Sequence, residues 1–131
     1  MPQLASVVLT DRASTPVDHT FTPRSLKNDV AELVEIGSVP IGEKKLTLSM
    51  KKSGSYYKGE LRLSLPALVT ETINGVSRST VARTATAVLT VQYHESSTDQ
   101  ERKDLTGMVR SALDPAKALV DDTLVDLGSL Y

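Results

Sequence analysis

Between positions 43 and 52, Leu46, Leu48 and Met50 alternate with Lys45, Thr47, Ser49 and Lys51. A period of two predicts a strand with an apolar face and a basic, hydroxylated face. The apolar face belongs to a core. The other carries no carboxylate on this strand and suits a phosphate backbone. Alone, the same pattern also describes a strand whose lysines are simply solvated. A second alternating run spans 57–65, with Leu61, Leu63 and Leu65 facing one way and Lys58, Glu60, Arg62 and Ser64 the other. Ser53-Gly54-Ser55 between the two runs predicts a tight turn. The longest strand candidate is 81–93. Its apolar row is Ala85, Ala87, Leu89, Val91 and Tyr93, and its other row is Thr84, Thr86, Val88, Thr90 and Gln92.

Upstream, 4–10 reads as a strand, 11–16 as a turn and 18–22 as the return strand of a hairpin ended by Pro23. A short strand follows at 30–36, then a loop at 37–42 with Pro40 and two glycines. Pro66 is expected to close the 57–65 strand. The segment 67–80 reads as a long loop or as an extended hairpin tip around Asn74-Gly75. The period then becomes helical. Ser97 predicts an N-cap with Gln100 three residues on, and Leu105, Met108, Val109, Ala112 and Leu113 form one apolar stripe. Asp114-Pro115 predicts a second helix start, Leu119, Val120, Thr123, Leu124 and Leu127 its face, and Gly128 its C′ residue. Strands first and two helices last make an α+β domain with helices gathered on one sheet face.

Composition sharpens this picture. The chain has 131 residues, which implies one domain, but holds no Trp, one Phe and four Tyr. A core packed from aliphatics alone is thin, and thin cores on long strands complete themselves by oligomerising. With no cysteine there is neither a disulfide framework nor thiol chemistry. No apolar run reaches membrane-spanning length, and Met-Pro-Gln-Leu-Ala has no secretion-signal pattern, so a soluble cytosolic chain is expected.

The net charge of −1 conceals a segregation. Residues 1–43 carry net −3, 44–83 net +6 and 84–131 net −4. The middle segment therefore projects a local positive field.

Candidate chemistry for catalysis is sparse. His19 and His94 lack a second ligand at metal spacing. No nucleophile elbow, P-loop or dinucleotide fingerprint occurs. Asp121, Asp122 and Asp126 fit a solvated helix face, and Glu43 beside Lys44 fits a surface pair. Neither an enzyme nor a cofactor is expected.

Several segments carry a family resemblance: Asp18-His-Thr-Phe-Thr-Pro-Arg24, Val39-Pro-Ile-Gly-Glu-Lys-Lys45 running into Leu-Thr-Leu-Ser, Tyr57-Lys58, Val81-Ala-Arg-Thr84, and Ser97-Thr-Asp-Gln-Glu-Arg102. In order, spacing and total length the chain resembles the coat proteins of the small single-stranded RNA bacteriophages, the leviviruses, particularly the Q-beta side of that group. The resemblance implies an outer hairpin at 1–24, an antiparallel sheet of about five strands within 30–93, and two helices at 97–128. In the family those helices interlock with a partner subunit, and homodimers tile an icosahedral shell. The 67–80 loop is then expected to change shape between symmetry environments.

The resemblance also implies that the inner sheet face binds a single-stranded RNA with a stem-loop, packaging the genome and repressing replicase translation. Carried over by position, the RNA contacts are Val30, Lys45, Thr47, Ser49, Lys51, Lys58, Glu60, Arg62, Thr86 and Val88. Three departures stand out. Thr86 occupies the place of a tyrosine that stacks on a loop base in relatives, and Val88 that of a polar or acidic residue. Glu60 replaces a neutral residue and repels phosphate unless it accepts from a base amine. Losing the stacked ring removes about 1–3 kcal/mol per base, with Tyr56 or Tyr57 as the rings nearby in sequence. A free dimeric RNA-binding regulator that builds no shell is the competing expectation.

Overall fold

The structure is a computed structural model, and it describes residues 3–36 and 40–131. The chain divides into two compact units, Met1–Gln92 and Tyr93–Tyr131. The first unit holds β1 (Val7–Thr10), β2 (Asp18–Lys27), β3 (Val30–Glu35), a 3-10 turn (Pro40–Gly42), β4 (Lys44–Ser53), β5 (Tyr56–Ile73) and β6 (Val76–His94), which runs into the second. The six strands form one sheet in sequence order, β1-β2-β3-β4-β5-β6. Each pairing from β1 through β5 is antiparallel. The 37–39 part of the expected 37–42 loop lies outside the described residues.

Two-residue turns connect three of the strand pairs. Asn28 and Asp29 both have positive φ, and so do Asn74 and Gly75, as a type I′ hairpin requires. At the β4–β5 turn only the first central residue, Gly54, has positive φ, the pattern of a type II′ turn. The hairpin reading of 67–80 is therefore the one that forms, and the long-loop reading is corrected. β5 runs to Ile73 and β6 begins at Val76.

Pro23 and Pro66, both expected to stop strands, do not. Pro23 lies inside β2, where the pairing with β3 slips between Pro23 and Ser25. The slip is a bulge at Arg24, and β1 pairs only as far as Phe21, so the missing N–H falls where β2's outer edge is already unpaired. Pro66 lies beyond Ser64, the last β5 residue paired with β4, so its lost donor opens no bond to that strand.

The core is small. Phe21, Ala31, Leu33 and Leu46 form the buried apolar cluster, with Leu4, Leu9 and Leu63 packed partly against it, while Val34 is buried on the other face, where it pairs with Lys45. Phe21 brings the hairpin onto the sheet and is 1 % exposed. Further along the same face cover runs out: Leu48 and Met50 on β4 are 49 % and 51 % exposed.

A four-residue charge network closes the hairpin end of this face. The imidazolium of His19 donates from Nε2 to Asp11 Oδ2 at 2.8 Å and from Nδ1 to Glu35 Oε2 at 2.7 Å. Glu35 also sits 3.7 Å from Lys44 Nζ. Asp11 Oδ1 accepts the backbone N–H groups of Ala13 and Val17, which fixes the turn. The Val17 N–H first, then His19 and the Ala13 N–H, pull the pKa of Asp11 down from its ordinary 3.8 to about 2. The hydrogen bonds to Asp11 and then Glu35 raise that of His19 above its ordinary 6.5. His19 is thus a structural clamp.

The second unit holds α1 (Asp99–Ala112) and α2 (Ala118–Leu124). The N-cap of α1 is Thr98, one residue later than expected: its hydroxyl accepts from the Glu101 N–H at 3.2 Å. Ser97 is occupied instead, its carbonyl and hydroxyl both accepting from Arg102 Nη1. α2 also starts late. Asp114 caps only a turn, through the Ala116 N–H, and Lys117 is the N-cap. At the end of α2, Leu127 takes the left-handed position expected for Gly128. The Gly128 N–H reaches Asp122 O at 3.0 Å, and a Cβ on Gly128 would sit 3.1 Å from that oxygen. The glycine serves close approach here and not φ. Neither helix carries a buried residue.

Phe21→Ala should cost about 3–5 kcal/mol of stability by leaving a cavity where the core is smallest, read as a drop in the urea midpoint. The His19 clamp contributes stability below about pH 6.5, and this is lost as pH rises through the raised folded value. The Asp11 contribution holds above about pH 4 and disappears as pH falls toward 2. Thermal midpoints across pH should therefore decline on the alkaline side in the wild type, and His19→Asn should flatten that decline.

Candidate nucleic-acid interface

Register assembles the expected site residues into rows across β3, β4 and β5. Val30 pairs with Ser49, and Ser49 with Glu60. Glu32, Thr47 and Arg62 form the next row, and Val34, Lys45 and Ser64 the one after. In the other direction Lys51 pairs with Lys58, and Ser53 with Tyr56. Directly paired residues share a face, so eight of the ten expected residues lie on one surface.

The remaining two follow from β6. A Cβ on Gly59 would meet Met50 Cε at 2.8 Å and Val91 Cγ2 at 3.0 Å, so Val91 shares the apolar face with Met50. Leu89 and Val91 line a cleft on that face with Leu48, Met50 and Leu61. Alternation then turns Thr86 and Val88 to the face of Lys58 and Arg62. Val88 is a half-exposed apolar side chain on an otherwise polar surface.

The electrostatics of this face are uneven. At the β2–β3 border Arg24 lies 2.5 Å from Glu43 and 3.9 Å from Glu32, so the charges there offset each other. Among the described residues, no ion pair engages Lys45, Lys51, Lys58 or Arg62. Four cations thus stand on neighbouring strands with Thr47, Ser49 and Ser64 among them, and Glu60 is the carboxylate in their midst. Antiparallel strands about 4.8 Å apart space these groups on the scale of successive phosphates.

Not every lysine of the basic strand contributes. Lys44 belongs to the opposite face, beside Glu35. Lys52 also turns away: it pairs with Tyr57 and holds its Nζ 5.3 Å from that ring's centre. Arg24 is the residue that the sequence pattern leaves out, because a bulge after a proline breaks the alternation that would have placed it. His94 is engaged locally, its Nδ1 accepting the Ser96 N–H at 3.1 Å. Among the described residues there is no group of three or more His, Cys, Asp or Glu side chains suited to a metal ion.

Comparison with known proteins gives this surface its context. The levivirus coat protein family model matches residues 2–131. The capsid protein of Pseudomonas phage PRR1 is 42 % identical over 130 residues, covering 98 % of this chain and 99 % of the relative. The capsid protein of Enterobacteria phage SP is 34 % identical over 112 residues, covering 82 % of this chain and 78 % of its own. Among solved structures, the virus-like particle of bacteriophage ESE058 superposes with a TM-score of 0.87 at 23 % identity, covering 99 % of this chain and all (100 %) of the other. The bacteriophage GA capsid protein gives 0.78 at 23 % identity, covering 98 % of each chain. These last two show the fold: an antiparallel sheet followed by two C-terminal helices. The chain belongs to the levivirus coat protein family.

Proposed function

We infer that this chain is the coat subunit of a virion. It dimerises, assembles into an icosahedral shell in the bacterial host cytoplasm, and holds single-stranded genomic RNA against its basic sheet face. The observation that carries the RNA role is the set of four cations, Lys45, Lys51, Lys58 and Arg62, on one continuous face and without ion pairs among the described residues. Such a set releases counterions from phosphate and gives affinity that falls with salt. Thr47, Ser49 and Glu60 supply hydrogen-bonding groups within the same rows. With Thr86 in place of a stacking tyrosine, this surface should discriminate modestly between an operator stem-loop and other RNA, and repression of replicase translation should be correspondingly shallow.

Dimerisation is supported by what the chain leaves uncovered. Leu48 and Met50 of the sheet, and Leu105, Met108, Leu113 and Leu119 of the helices, are all at least 40 % exposed. Burying a Leu or Met fully is worth about 1.5–3 kcal/mol each, so a second copy placed with its helices on this sheet face would be held as an obligate partner. Relatives solved as virus-like particles supply the expectation of a shell.

Electron microscopy and sizing of the expressed protein should show particles that dissociate to dimers, not monomers. A uniform dimer with no particles would favour a free regulator. Met108→Asp should abolish assembly and yield monomers or unfolded chains. A folded monomer of the wild type at low micromolar concentration would overturn the obligate dimer. For RNA, Lys51→Ala or Arg62→Ala should weaken stem-loop and scrambled RNA alike. Each should also lower the slope of log affinity against log salt by about 0.7–0.9 for every phosphate no longer neutralised. Unchanged affinity and slope would return this face to a solvated surface.

A further inference from the structure

We propose that Tyr56 is the base-stacking residue of this chain and marks where an unpaired nucleotide docks on the basic face. The proposal rests on the RNA role above and adds its specificity element. Base stacking needs a ring on the same surface as the phosphate-binding cations. Among the described aromatic residues of the sheet, Tyr56 alone meets that condition. Phe21 is buried at 1 % exposure in the core. Tyr57 pairs with Lys52 and lies on the opposite face, its ring beneath that ammonium at 5.3 Å. Tyr93, near the end of β6, shares Val91's side by alternation.

Tyr56 differs from all of these. It pairs with Ser53, two residues from the Lys51–Lys58 pair, and so projects on the side of those two lysines. Its side chain is 47 % exposed. Its strand is anchored at that point by a two-residue turn whose Gly54 has positive φ, which keeps the ring close to the lysines. A ring on the same face as two neighbouring lysines offers a nucleobase a stacking surface while the lysines take the adjoining phosphates.

The position also says what Tyr56 cannot be. Thr86 faces the other end of β5, since Val91 already lies beside Gly59 and β6 runs away from it. Tyr56 is therefore a second docking point at the β4–β5 tip, and not a ring restored to the Thr86 position. Its ligand is an unstacked base, in a loop, a bulge or a single strand. A continuous duplex offers no such base.

The test titrates the assembled dimer with three RNAs: a stem-loop carrying 2-aminopurine in its unpaired segment, a single strand of the same composition, and a blunt duplex. Tyr56→Ala should weaken the first two roughly 5- to 150-fold, remove the 2-aminopurine quenching, and leave the duplex and the salt slope unchanged. Tyr56→Phe should keep both affinity and quenching, and Tyr57→Ala should bind as wild type. Wild-type affinity and quenching in Tyr56→Ala would overturn the proposal. So would an equal loss on all three RNAs with a lowered slope, which would mean that the ring only props the lysines. Lys51→Ala in parallel separates the two levels. If it weakens all three RNAs while Tyr56→Ala changes nothing, the RNA face stands and the stacking site fails. If neither variant changes binding, both fail.

Discussion

The constraint on which everything else rests is the strict two-residue alternation of β4 and its register with β3 and β5. Leu46 pairs with Leu33 on one side and Leu63 on the other, while Thr47 pairs with Glu32 and Arg62. A one-residue slip would send Lys45 and Lys51 into the apolar layer and Leu46 into water. On the β5 side the chain guards against this with the two-residue turn at 54–55, whose positive-φ Gly54 fixes the hairpin length. Segregation of charge from grease is therefore a backbone property here before it is a side-chain one. The basic surface and the packing surface are the two sides of one ladder.

Much of this ladder is legible from residue order. Alternation at 43–52, 57–65 and 81–93 shows which residues share a face, because a period of two needs no tertiary information. The misreadings have a common cause. Pro23 and Pro66 look like strand ends because a proline lacks a donor, yet whether that lack matters depends on which neighbour runs alongside. Only the register shows that β1 pairs no further than Phe21 and β4 no further than Ser64. Leu68, Val69, Ile73 and Val76 flank the Asn74-Gly75 turn as strand residues for the same reason: β5 and β6 continue together past the rest of the sheet.

The charged residues are harder to read. Counting lysines along 44–58 overstates the face, since Lys44 answers Glu35 and Lys52 answers Tyr57. Arg24 is invisible because a bulge resets the phase of its strand. His19 gives no sequence signal of its role, because Asp11 and Glu35 come from eight and sixteen residues away and meet it only when the hairpin closes. The family resemblance implies a set of contact positions; the register brings eight of them to one surface, and alternation along β6 from Val91 adds Thr86 and Val88. It does not decide between Tyr56 and Tyr57, since adjacent strand residues point to opposite faces and only the pairing partner tells which is which.

The thin core and the open basic face are linked through this same geometry. A sheet with one polar, basic face has only the other face for its main core, and here Phe21, Leu33 and Leu46 fill just the hairpin end of it. Adding large apolar residues to the uncovered end would deepen the monomer's need for cover without changing the basic face. The proposed second copy is what would cover that end. In a coat protein such dependence would have a use: subunits stable only together would populate dimers and shells in preference to free folded monomers, and the cations of two copies would stand side by side wherever their sheets joined.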